Sequence, residues 1–211
     1  MNSPSLEKWN QLWRNMGCEG VSRAWYERLA NAYSEPQRHY HNFQHIAECL
    51  EIFESARTLA EQPHAVEMAI WFHDAVYDPK APDNEERSAA MAAQCLGEAS
   101  VGQAFIQKVT RLIMATKSHD ASTDVDAPVL VDVDLSILGQ SNDRFRQYES
   151  QIRREYLWVP VAIFSSKRGE ILKQFLGRKR IYITDLFHNR FEQQARKNIQ
   201  SSIRALEAMI T

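Results

Sequence analysis

Ala69-Ile70-Trp71-Phe72-His73-Asp74-Ala75-Val76-Tyr77 is an almost unbroken apolar run with an imidazole and a carboxylate side by side inside it. Burying an ionised carboxylate without a partner costs several kcal/mol, so the pair needs something to satisfy it. A divalent metal is one partner that takes both groups. Further donors of suitable type stand elsewhere: His45 in Tyr40-His41-Asn42-Phe43-Gln44-His45-Ile46, and Asp134 in Val131-Asp132-Val133-Asp134-Leu135. Upstream of the pair, Pro63 starts a helix expected from about His64 to Tyr77. That helix is apolar on nearly every side, which makes it the central, buried one.

Its neighbours also read with helical period. Phe43, Ile46, Ala47, Leu50 and Phe53 recur at three- and four-residue spacing after Asn42, a suitable N-cap. Asp78-Pro79-Lys80-Ala81-Pro82-Asp83-Asn84 is a loop by its prolines, and Glu85 to Leu96 is alanine-rich and helical, with Gly97 as the expected stop. Phe105, Val109, Leu112 and Ile113 mark a helix ending near Thr116, followed by a polar loop over 117–127 that carries His119. The β-branched run from Pro128 to Leu138 suits a buried strand or a helix; Gly139 and the helical surroundings favour the helix. Phe145, Tyr148, Ile152, Tyr156 and Val159 make another helix. A last one runs from about Asn189 to Ile210, with Phe191, Ala195, Ile199, Ile203 and Leu206 on one stripe. Glycine and proline number only seven each, which suits helices better than a turn-rich β fold. The expectation is an all-α, globular, multi-helix bundle. It is read as a single domain over residues 1–211, its core motifs at about 38–140 and its C-terminal helices, 141–211, packed on them.

The net charge of -2 conceals an asymmetry: residues 1–140 hold 11 Lys/Arg and 20 Asp/Glu, whereas residues 141–211 hold 14 and 7. The acidic part contains the candidate ligands. The basic part reads most simply as solvated helix faces, with a phosphate or an acidic partner as the alternatives. Arg178-Lys179-Arg180 lacks an aromatic platform, so no specific nucleic-acid contact is expected. Cys18, Cys49 and Cys95 form no CxxC pair and read as free thiols in a reducing compartment. No basic segment leads into an apolar stretch at the start of the chain, and no apolar segment reaches the ~20 residues of a membrane span. A soluble cytoplasmic protein, with no membrane partner, is expected. Trp9, Trp13, Trp25, Trp71 and Trp158 read as core or half-buried anchors, and His39, His64 and His188 as structural or surface residues.

His45, His73-Asp74 and Asp134 stand in that order, with 28 residues from His45 to His73 and 60 from Asp74 to Asp134. Helices of a bundle can bring such donors into a shared core. Two imidazoles and two carboxylates make a mixed nitrogen and oxygen site that suits Mn, Fe, Zn, Co or Ni.

Four ordered stretches, Arg38-His39-Tyr40-His41-Asn42-Phe43-Gln44-His45-Ile46, Trp71-Phe72-His73-Asp74-Ala75-Val76-Tyr77-Asp78, Asp83-Asn84-Glu85-Glu86-Arg87-Ser88-Ala89 and Asp132-Val133-Asp134-Leu135-Ser136-Ile137-Leu138-Gly139, resemble the HD superfamily of metal-dependent phosphohydrolases. The resemblance covers about residues 20–205 and is strongest to its predicted HD-domain phosphohydrolases with a Tyr-His-Asn-x-x-His start. It implies an HD-domain bundle and His45, His73, Asp74 and Asp134 as ligands of one divalent ion (Mn, Fe, Co, Ni, Zn or Mg). Asp134 is preferred to Asp132 because the family ligand is usually the second Asp of an Asp-x-Asp; Asp132 is left to orient a ligand or a water. His41 is open between touching substrate, supporting the site and capping its helix.

The activity implied is hydrolysis of a phosphoester of a small, nucleotide-like substrate by a metal-activated water. Lys117 and His119 are the candidates for contact with the phosphate. Glu85 is the candidate for water positioning or general base, with Asp83 and Asp78 behind it. Asp83-Asn84-Glu85 reads equally as an acidic helix start, and Lys117 and His119 as solvated. Some family branches place a carboxylate four residues after the HD histidine. Tyr77 stands there, which leaves the base unassigned. The alternatives are a non-catalytic module that binds metal and a nucleotide, and a di-iron oxygenase. The latter calls for further histidines between the HD pair and the distal aspartate, where His119 stands alone. Monomer and homodimer are both open.

Overall fold

Ten α-helices, three short 3-10 segments and no strand make up the described part of this computed structural model: residues 4–18, 20, 22–119 and 121–209, with Thr123 described by its backbone alone. The expected all-α class is what the chain adopts. The chain divides into two compact units, Met1–Asp134 and Leu135–Thr211. No helix among the described residues is long and apolar enough to cross a membrane.

The first unit contains α1 (Leu6–Asn15), α2 (Ser22–Ala32), α3 (Phe43–Ala56), α4 (Pro63–Phe72), α5 (Asn84–Glu98), α6 (Gln103–Ser118) and α7 (Ala127–Asp134). Short 3-10 segments, Arg57–Leu59 and Ala121–Thr123, follow α3 and α6. The centre is α4, as its all-round apolarity predicts. Every residue from Ala65 to Phe72 is buried, and the helix packs against α1, α3, α5, α6 and α7. Burial of each large side chain contributes about 1.5–3 kcal/mol. Trp9 meets Trp71 edge to face at 5.1 Å, Trp25 and Trp9 flank Phe72, and the Tyr33 hydroxyl donates to the Trp71 carbonyl at 2.9 Å. Pro63 opens α4, where its missing N–H costs nothing. Just before it, the backbone N–H groups of Glu61 and Gln62 donate to the wholly buried Asp126 carboxylate, which Lys108 also pairs at 2.9 Å. The entry of α4 is thereby tied to the entry of α7.

Several expected boundaries move. The central helix stops at Phe72 instead of Tyr77, so His73-Asp74 lies in the turn that leaves it. Gly97 does not stop α5. Ser100 takes the left-handed conformation (φ 56°), Ser100 N–H bonds Gly97 O, and Val101 N–H bonds Leu96 O. This closes the helix by a Schellman motif with Ser100 as its left-handed residue. Lys117 belongs to the last turn of α6, and the loop starts at His119. The run from Pro128 to Leu138 is helical, as α7 and then a 3-10 segment, Leu135–Gly139.

The second unit holds that 3-10 segment, α8 (Asn142–Glu155), α9 (Val161–Gly177) and α10 (Asp185–Ala208). The packing centre is α10, against α9, α8 and the 3-10 segment. Its stripe of Phe191, Ala195, Ile199, Ile203 and Leu206 is buried as expected, while Ile210 lies outside the described residues. Gly139 has no room for a side chain: a Cβ there would stand 2.5 Å from the Phe191 Cβ. Trp158 is no core anchor, being 54% exposed, whereas Trp9, Trp13, Trp25 and Trp71 are buried.

Candidate metal centre

Three pieces of backbone converge in the first unit. The Asn42 side chain accepts from the Gln44 N–H at 2.9 Å and starts α3, which sets His45 in the first turn on the buried face. Asn42, and not His41, is therefore the cap. At the end of α4, His73 N–H still bonds Ala69 O, while Ala75 N–H bonds Phe72 O and tightens the turn. Asp134 is the last residue of α7.

Carbonyls at a helix C-terminus need outside donors, and here Arg38 supplies them. Its guanidinium donates to Asp74 O at 2.6 Å, Ala75 O at 2.9 Å and His41 O at 3.1 Å, and its Nε donates to Glu35 at 2.8 Å. The Arg38 side chain has no solvent exposure. One buried cation thus joins the turn carrying Asp74 to the turn preceding His45. Arg38 stands in the first of the four motif stretches, where nothing local gives it a role. Its signal, an arginine between a polar turn and a ligand segment, has meaning only once the turn is folded.

The four expected ligands meet. His45 Nε2 lies 3.1 Å from His73 Nε2, 3.4 Å from Asp74 Oδ2 and 3.3 Å from Asp134 Oδ1. His73 Nε2 lies 3.2 Å from Asp74 Oδ2 and 3.6 Å from Asp134 Oδ1. Donor atoms placed about 2.0–2.2 Å from one cation in tetrahedral or octahedral geometry stand about 2.8–3.6 Å apart along the polyhedron's edges, so the cluster fits a single ion. His45, His73 and Asp74 form a group able to hold a metal, and so do His45, Cys49 and Asp134. His73 Nδ1 sits 2.9 Å from Ile70 O; donating there leaves the Nε2 lone pair facing the cluster. Both imidazoles are 2% exposed, while Asp74 and Asp134 keep 20% and 18% of their side chains open.

The electrostatics agree with two carboxylates crowding two rings. Burial works against the His45 imidazolium, yet Cys49, Tyr40 and hydrogen bonds to Asp134 and Asp74 raise its pKa well above the ordinary value. His73 is raised likewise, against burial, by Asp74 and Asp134. Burial also opposes the Asp74 and Asp134 anions, but the facing histidines hold both well below the usual carboxylate range. Without a cation, protons on the rings are what neutralise the carboxylates.

Of the other candidates, His119 reaches the cluster. It ends α6 in the left-handed conformation (φ 50°), and its Nε2 lies 3.4 Å from Asp134 Oδ2, the oxygen turned away from His45. His41 stacks on Tyr77 at 4.1 Å and, through its charge, helps hold Asp74 ionised. Lys117 donates to Pro82 O at 2.9 Å and pairs with Glu86. Glu85 and Asp83 add negative charge around that lysine, and among the described residues neither makes a hydrogen bond or ion pair with the cluster. Asp78 accepts from Lys80 N–H in its own loop. Asp132 is wholly buried in α7. Cys49, which the sequence marks only as a free thiol, places its sulfur 3.6 Å from His45 Nδ1, one helical turn on.

Comparisons with protein-family models, with curated proteins and with solved structures found no match to this chain. The cluster itself is a buried mixed nitrogen and oxygen donor set with a solvent-facing side, and its residues could hold a metal ion.

Proposed function

We propose that this chain is a metal-dependent phosphohydrolase of the HD type, acting on a phosphoester of a small, nucleotide-like substrate. The observation that carries the reading is the meeting of His45 Nε2, His73 Nε2, Asp74 Oδ2 and Asp134 Oδ1, with 3.1 Å between the two ring nitrogens. The ordered motifs that resemble the HD superfamily support it. When bound by these four residues, a divalent cation supplies a Lewis acid for a phosphoryl oxygen and acidifies a water. The chain's own groups do the rest. Ile70 O fixes the His73 tautomer, and Arg38 holds the Asp74 turn in place. His119 Nε2, beside Asp134 Oδ2 and 26% exposed, is placed to hold or pass a proton at the open side. Lys117 and Glu85 carry less of the proposal than the motifs implied, because Lys117 is engaged by Glu86 and Pro82.

That engagement favours a second reading, a metal- and nucleotide-binding module without turnover, since it withdraws the ammonium expected beside a phosphate. Phosphate release decides between them. Metal-stripped protein is given Mn, Co, Ni, Zn or Mg in turn. It is assayed on nucleoside mono-, di- and triphosphates, cyclic nucleotides and bis(p-nitrophenyl) phosphate, beside Asp74→Ala. Metal-dependent turnover lost in Asp74→Ala is the expected result. Stoichiometric metal with no release would favour the binding module, and two irons per chain the oxygenase.

A further inference from the structure

A cleft of about 400 Å³ opens in the first unit between α2, the segment after it, the 75–79 turn and α5. None of the four metal-cluster residues lines it. Its volume is within the ~300–1,000 Å³ of small-ligand sites. Arg28, Arg38 and Arg87 all line it, although residues 1–140 carry nine more acidic than basic side chains. Arg38 is committed to backbone carbonyls and to Glu35. Arg28 and Arg87 are different: among the described residues neither guanidinium has a hydrogen bond or an ion pair. Arg28 rests on the Trp25 ring at 4.5 Å, which steadies its stem and leaves its N–H groups unused. The two carboxylates of the lining are already engaged, Glu35 by Arg38 and Gln37, and Asp78 by Lys80 N–H. Tyr77 and Met91 supply apolar wall.

We infer that this cleft is a second binding site, for a small anion: the phosphate or carboxylate group of a ligand whose body lies against Tyr77 and Met91. Paired guanidinium forks with free donors recognise such oxyanions by charge-assisted, bidentate hydrogen bonds. The cleft shares Arg38 and the Ala75–Asp78 backbone with the turn that presents Asp74, so an occupant would rest on the support of the metal cluster. The assignment does not depend on the phosphohydrolase reading.

The test is calorimetric titration of metal-stripped, full-length protein with pyrophosphate and, separately, with succinate. Saturable binding with Kd on the order of 1 mM or tighter is expected for at least one of them. The stronger of the two names the oxyanion as phosphoryl or carboxyl. Arg28→Gln and Arg87→Gln, both at exposed positions and checked for unchanged melting, should each weaken binding about tenfold. Asp134→Ala should leave it unchanged, because Asp134 lies outside the cleft. Absence of saturable binding for both anions, or binding indifferent to both arginines, overturns the proposal. Binding that changes in Asp134→Ala but not in the arginine variants would place the anion at the metal cluster and overturn it too. Absence of phosphate hydrolysis in the enzyme assay bears on the other reading only.

Discussion

The metal cluster of the first unit and the α10 core of the second bury polar groups in opposite ways. In the second, Glu192 is buried, yet its carboxylate accepts from Ile181 N–H and Tyr182 N–H and pairs with Arg196 at 2.7 Å. Asn198, with no exposure, donates to Leu138 O and Gln140 O, both at 2.8 Å. Each acceptor meets a donor from the chain itself. In the first unit, two carboxylate oxygens and two ring nitrogens face one another with too few protons to share. A buried group that the chain satisfies is architecture. A buried set of acceptors that the chain brings together and leaves short of donors is one that could hold a metal ion.

Variants can break that contrast, and the largest effect belongs to the cluster. Asp74→Ala should weaken metal binding by more than about 100-fold, beyond the 10–100-fold typical of outer partners, with metal content per chain after dialysis as the measurement. At a pH above the raised His45 and His73 values, where both rings are neutral, it should cost the metal-free fold little, because it removes one acceptor that faces other acceptors. Glu192→Ala should do the reverse. It leaves the buried Ile181 and Tyr182 N–H groups without their acceptor and should cost about 1–3 kcal/mol in urea unfolding, with metal content unchanged. Equal stability losses in the two variants would erase the distinction.

Arg38→Lys sharpens it further. A single ammonium cannot span Asp74 O, Ala75 O and His41 O as the planar fork does. Metal affinity should fall about 10- to 100-fold by competition with a chelating dye, while all four ligands remain. Unchanged affinity would make the Arg38 clip a matter of folding alone.

The pH dependence tests the same contrast without a substitution. The raised His45 and His73 values mean that the metal-free cluster gains stability from its imidazolium ions below the ordinary value near 6.5. That contribution is lost as pH rises through the raised values. Metal needs both rings neutral, so affinity should climb over the same interval, by about tenfold per pH unit for each proton displaced. Glu192 carries the opposite sign: its lowered pKa contributes stability above the ordinary carboxylate value, lost as pH falls through the lowered one. A titration in which metal affinity ignored pH above 6.5 would contradict the crowding of the rings.

The sequence by itself determined the helical class, the central place of α4, the Asn42 cap and the residue types of the metal cluster. Apolar period, capping chemistry and donor type are local properties, readable without knowing what packs where. The motif resemblance favoured Asp134 over Asp132, and Asp134 Oδ1 stands 3.3 Å from His45 Nε2. Only tertiary structure decided where α4 stops, because the carbonyls that leave it at Phe72 are satisfied by Arg38 and by Ser88, whose hydroxyl lies 3.3 Å from Val76 O. Only tertiary structure separated His119 from Lys117, two residues apart on one helix end. The first turns back on Asp134, while the second is drawn to Glu86 across α5. Hydrogen bonds and ion pairs between segments choose among partners that lie 12 to 37 residues away along the chain, and no local pattern records that choice.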